Sequence, residues 1–134
     1  MAETSGVKAL RVVVFVVGLG ELLTSILLLF LPQTYKALFG LAPDFDSYYI
    51  QQIGMFQFLV GSALLAGSRQ GENPAVFRFA VWFNLVSLVF WIYYLLSRGW
   101  QPGLFDYSVA GFMVYHAVMI AVLFVVGRRA GVAP

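Results

Sequence analysis

The chain has 134 residues, 61% of them hydrophobic and only 10% charged, with a net charge of +2 and no cysteine. A soluble domain carries roughly 45–50% apolar and about 25% charged residues, so a water-soluble fold has too few charges here to cover its surface. The absence of cysteine excludes disulfides, thiolate metal sites and thiol catalysis. The basic residues stand singly or in pairs, with no run or stripe to neutralise nucleic-acid phosphates.

Four apolar stretches are long enough to cross a hydrocarbon core, which takes about 20 residues of helix. The first covers residues 10–31 and is stopped by Pro32. Its length, its central Glu21 and the lack of a nearby small-x-small site argue against a cleaved signal peptide. The loop that follows is the longest. Within it, residues 33–41 set Tyr35, Leu38 and Phe39 at helical spacing, the pattern of a short interfacial segment. The second span covers 49–66, with Asp46 or Ser47 as N-cap and Gly67-Ser68 at its end. The third covers 75–96. Asn73-Pro74 supplies its cap and a proline at the first helical position, and Gly99 closes it. The fourth covers 106–126, capped by Asp106 and closed by Gly127. These stretches are apolar on nearly all sides and too few for a membrane barrel, which alternates polar and apolar residues over about eight strands or more. The expected fold is all-α: a single membrane domain over 1–134, built as a four-transmembrane-helix antiparallel bundle with a short interfacial segment in the first loop.

Lys8, Arg11, Arg69, Arg78, Arg128 and Arg129 fall on one side of that topology, and Lys36 and Arg98 on the other. This bias places both termini in the cytoplasm of a multi-pass cell-membrane protein. Trp100, Tyr35, Tyr48 and Tyr49 cluster near the opposite boundary, as interfacial aromatics do.

The informative residues are those a bilayer should reject. Glu21 lies roughly 16 Å from the inner end of its helix, about half the hydrocarbon thickness. A charge there costs about 2.5–3.5 kcal/mol on insertion scales. Gln57, Asn84, Ser87 and His116 lie near mid-span on the other helices, with Tyr115 beside His116. Gly18, Glu21 and Ser25 share one face at i, i+3, i+7. So do Gly54, Gln57 and Gly61, and so do Asn84, Ser87 and Trp91. Small residues beside polar ones let helices approach and hydrogen-bond. Gly18, Gly54 and Gly61 are therefore expected to pack helices. Glu21, His116, Gln57, Asn84, Ser87 and Tyr115 are candidates to bind a ligand or carry a proton. The plain alternative is interhelical glue, which accounts readily for Gln57, Asn84, Ser87 and a lone His116, and less readily for an acid at the costliest depth. Glu21 and His116 are expected to interact directly or through one water, either as neutral partners or as an ion pair. Leu123 is expected to face lipid.

One histidine and one mid-membrane carboxylate do not make a zinc site, no Glu-x-x-His motif is present, and haem would find a single axial candidate in His116. No metal and no cofactor is expected, no catalytic residue can be named, and nucleic acid is excluded as a partner. The expected partners are the lipid bilayer, a small apolar or amphipathic ligand, and either further copies of the chain or a larger membrane complex.

The opening Leu10-Arg11-Val12, the stretch Phe30-Leu31-Pro32 followed by Phe39-Gly40-Leu41, and the glycine spacing of the second span give the chain a layout that resembles the DoxX-like group of small four-helix bacterial membrane proteins. The resemblance covers most of the chain as architecture. It implies a four-span membrane fold and carries over no residue role. Three functions stay open. The first is binding or transport of a proton, cation or small amphipathic molecule at a polar midplane site. The second is a non-enzymatic accessory subunit of a larger complex. The third is a membrane enzyme acting on a lipid-like substrate through a Glu/His pair.

Overall fold

The computed structural model describes residues 5–70 and 73–133. Five helices follow one another: α1 (Ser5–Phe30), α2 (Pro32–Phe39), α3 (Ser47–Ser68), α4 (Pro74–Arg98) and α5 (Leu104–Ala130). Four of them, α1, α3, α4 and α5, are long and apolar enough to cross a membrane. No strand occurs among the described residues.

The helix ends follow local chemistry. Leu31 precedes Pro32, which crowds the α region of the residue before it. Leu31 accordingly adopts φ −130° and ψ 50°, and Pro32 opens α2 instead of merely ending α1. Gly40 closes α2 in the left-handed region at φ 68°, its N–H bonded to the Lys36 carbonyl. Asp46 caps α3 by accepting from the Tyr48 N–H at 2.8 Å, and Asn73 caps α4 by accepting from the Ala75 N–H at 2.9 Å. Gly99 closes α4 as expected.

Two expected ends of α5 are corrected. Its N-cap is Gly103. Asp106 sits inside the first turn, fully buried, and its carboxylate accepts the Gln101 backbone N–H. The helix also runs through Gly127 to Ala130 and is closed by Gly131 at φ 72°. Gly127 is a packing position: a Cβ there would lie 2.6 Å from the Phe77 ring.

The burial pattern inverts that of a water-soluble helix, which hides its apolar face and shows its polar one. On α1 the buried stripe is Leu10, Val14, Val17, Gly18, Glu21, Ser25 and Leu28. The exposed side carries Val12, Phe15, Val16, Leu19, Leu23 and Ile26. Polar groups face inward and hydrocarbon faces outward, which suits lipid as the surrounding solvent.

Glycines set how the helices meet. Gly18 and Gly61 bring α1 and α3 into backbone contact: a Cβ at Gly61 would lie 2.8 Å from the Leu22 nitrogen, and one at Gly18 would lie 2.9 Å from the Leu65 nitrogen. Gly54 faces Leu28 and Leu29, so numbers rising along α1 meet numbers falling along α3. Gly6 is pressed against the Arg129 carbonyl, tying the start of α1 to the end of α5. The helices are laterally ordered α3–α1–α5–α4. The closest pairs are α1 with α3, α5 with α4, and α1 with α5, whereas the sequential neighbours α3 and α4 barely touch.

The apolar core lies toward the end where α1 begins, and includes Leu10, Val14, Val17, Leu64, Phe77 and Leu123. Leu123 is wholly buried, which corrects the expectation that it faces lipid. It follows His116 by seven residues, two helical turns along the same inward face. At the other end α2 lies across the bundle. Lys36 is buried there, donating from Nζ to the Pro43 carbonyl at 3.0 Å, and Phe39 packs against Phe112. Burial pushes the Tyr35 phenol up to about 12, so it serves there as a neutral ring packed on Phe39.

Candidate functional site: a polar layer at mid-span

Glu21 occupies the inward stripe of α1, 5% exposed, between the packing residues Gly18 and Ser25. Its carboxylate makes no hydrogen bond or ion pair to any described residue, and its oxygens are not wholly enclosed. The phenol of Tyr115 comes in from α5 next to it. The Tyr115 hydroxyl reaches α1 at Gly20, 3.7 Å from where a Cβ would stand, the residue just before Glu21.

A second polar unit joins α4 to α5. His116 Nδ1 and Asn84 Oδ1 lie 2.9 Å apart, and Asn84 Nδ2 donates to the Ala80 carbonyl at 2.8 Å. The amide nitrogen is thereby used as a donor, so Oδ1 is the acceptor and His116 Nδ1 carries the proton. In the neutral ring this leaves Nε2 as an acceptor, with no hydrogen-bond partner among the described residues. Asn84 is wholly buried, and the His116 ring is fixed edge-on by Phe83 and Tyr115.

The other candidates surround this layer. Gln57 is half-buried on α3, and its Oε1 is enclosed without a partner. Ser87, one turn beyond Asn84, is half-buried and makes no hydrogen bond among the described residues. Ser25 is wholly buried but satisfied within its own helix, donating to the Leu22 carbonyl at 2.6 Å. Gly18, Gly54 and Gly61 lie at the α1–α3 contact that places Glu21 and Gln57.

No direct hydrogen bond or ion pair joins Glu21 and His116. His116 is held by Asn84, and Glu21 is approached by the adjacent Tyr115. The reason is helical geometry: Tyr115 and His116 are successive residues about 100° apart around α5, so one turns to α1 and the other to α4. Among the described residues no three His, Cys, Asp or Glu side chains converge on a point where a metal would bind.

Chemically, the layer offers acceptors in the Glu21 carboxylate, His116 Nε2 and Gln57 Oε1, and donors in the Gln57 amide and the Ser87 and Tyr115 hydroxyls. Such a set can hydrogen-bond a polar or protonated species from either side.

No family model, no curated protein and no solved structure matches this chain.

Proposed function

We propose that this chain is an antiparallel four-span membrane protein whose mid-span layer binds a proton, a cation or a small hydrogen-bond-donating amphipath, with Glu21 as the primary ligand. The observation that carries the reading is Glu21 on the inward face of α1, its carboxylate not wholly enclosed and making no hydrogen bond to any described residue, with the Tyr115 hydroxyl reaching the adjacent Gly20. An acid at mid-bilayer is costly and gives the fold no pairing in return, which favours a functional role over a structural one. Tyr115 serves the same site by hydrogen bonding to whatever Glu21 holds. Asn84 and His116 form a separate polar pair between α4 and α5.

Both termini lie in the cytoplasm in this reading, supported by the six basic residues at one end against two at the other. Reporter fusions at the C-terminus and near Asp44 test it. A C-terminal reporter on the outer side refutes that orientation. Membership of the DoxX-like group belongs to the same proposal and rests on the sequence layout alone.

The test of the site is mass spectrometry of the small molecules that co-purify in mild detergent with the wild type and with Glu21→Gln. A species retained by the wild type and lost in the variant supports the site. Identical sets from two equally folded proteins overturn it.

A second reading, the accessory subunit, is favoured by α4. That helix packs almost solely on α5 and leaves Val86, Val89, Tyr93 and Leu96 exposed along its length. Co-purification of a stoichiometric membrane subunit, lost when Val86 and Tyr93 are changed to bulkier or charged residues, selects it.

A further inference from the structure

Away from the mid-span layer, a half-open groove of about 400 Å³ runs along the outside of the α4–α5 pair. Its walls include Val81, Trp82 and Leu85 from α4 and Ile120 and Phe124 from α5, and its upper rim carries Arg78. Arg78 stands near the start of α4, at the membrane boundary, whereas Leu85 is next to Asn84 in the polar layer. Seven residues of helix separate them, so the groove descends about 10 Å from boundary toward midplane.

The chemistry changes along that descent. At the boundary there is a guanidinium with no hydrogen bond or ion pair to any described residue. Below it the lining is aliphatic and aromatic throughout, and no acidic side chain contributes to it. A cation above a hydrocarbon slot of this depth suits an anionic headgroup followed by an acyl chain.

A second copy packed side by side in the same orientation brings Arg69 and Arg129 to the level of Arg78, like charges that disfavour that occupant. The same end repeats the combination elsewhere. Between α1 and α3, Arg69 borders a groove walled by Val12 and Phe15.

We infer that the α4–α5 groove is a seat for one anionic phospholipid, its phosphate held by Arg78 and its acyl chain lying along Trp82 and Leu85 against α5. Arginine suits the task because its planar fork donates two parallel hydrogen bonds to a phosphate. The site is independent of Glu21 and stands or falls apart from the mid-span layer.

Trp82 is a built-in reporter. With Trp91 and Trp100 changed to Phe, its emission is measured in nanodiscs containing trace phospholipid brominated on the acyl chain, either phosphatidylglycerol or phosphatidylcholine. Brominated phosphatidylglycerol should quench at about fivefold lower mole fraction, the worth of one basic residue at an anionic membrane surface. Arg78→Gln should abolish that preference while leaving quenching by phosphatidylcholine unchanged. Equal quenching by the two lipids, or a preference that survives Arg78→Gln, overturns the proposal. So does a Trp82 shielded from both lipids in a dimeric protein, because the groove then belongs to a second copy. If the single-tryptophan protein does not fold, native mass spectrometry of the wild type and Arg78→Gln decides the matter. One retained phosphatidylglycerol per chain, lost in the variant, is expected, and equal retention refutes the seat.

Discussion

Gly61→Ala adds one methyl group at the closest approach of α1 and α3. That carbon would stand 2.8 Å from the Leu22 nitrogen, 2.9 Å from the Gly18 carbonyl oxygen and 3.2 Å from the Leu22 Cα. All three atoms are backbone, so no side chain can swing aside. Ordinary contact begins at 3.4 Å, and α3 must therefore retreat by about 0.6 Å. A radial gap of about 0.5–1 Å forfeits roughly a quarter to a half of the dispersion energy of the atom pairs it separates. Overpacking of this kind costs about 1–3 kcal/mol. Gly111→Ala is the control. It lies inside α5 with nothing within 4 Å of the added carbon, and gains up to about 1 kcal/mol of helix propensity. Gly20→Ala, whose Cβ meets only the Tyr115 hydroxyl at 3.7 Å, should resemble Gly111→Ala. Thermal unfolding in mild detergent, followed by size-exclusion of the surviving fraction, should rank Gly61→Ala several degrees below both controls. Gly61→Ala as stable as Gly111→Ala would refute the backbone contact on which the placement of Glu21 depends.

Glu21→Gln should fold normally and unfold at a higher temperature than the wild type, because it removes an unpaired acid from mid-span; a lower melting temperature in detergent would mean the carboxylate is structurally paired. Asn84→Ala should cost about 1–3 kcal/mol by leaving the His116 Nδ1–H without its acceptor, and Asn84→Ala/His116→Ala should cost less than the sum of the single changes; strict additivity in the same melts would deny the bond. Leu123→Ala should destabilise by about 2–5 kcal/mol, as a fully buried leucine does, whereas Val118→Ala on the exposed side should change stability little; equal effects would place Leu123 at the lipid surface.

Helix caps were readable because they are local. Asp46, Asn73-Pro74 and Gly99 each act within a few residues of themselves, and their chemistry is the same in any fold. Gly127 was misjudged because a glycine near a helix end can either terminate it or admit a neighbour. The Phe77 ring that decides the matter is fifty residues away. Leu123 was illegible for a different reason. In a soluble helix periodicity separates inside from outside, but α5 is apolar all round, so lipid-facing and core-facing leucines look alike. The inward stripes could be located only where a polar or small residue marked them, as Glu21 and Ser25 do on α1. The candidates of the polar layer were nameable for that reason. Their partners were not, because the Tyr115/His116 step depends on which helix lies on each side of α5.

The order α3–α1–α5–α4 has a consequence for how the protein is made. Helices leave the ribosome one after another, and α1 enters the bilayer carrying Glu21. Its first neighbour, α3, arrives next and can zip onto it through Gly18 and Gly61 at once. The helix that brings Tyr115 to the other side of Glu21 is the last to be synthesised. For most of biogenesis the acid therefore has hydrocarbon, or whatever insertion factor attends it, where the finished protein has a phenol. A chain stalled before α5 leaves the Glu21 side that Tyr115 would cover open.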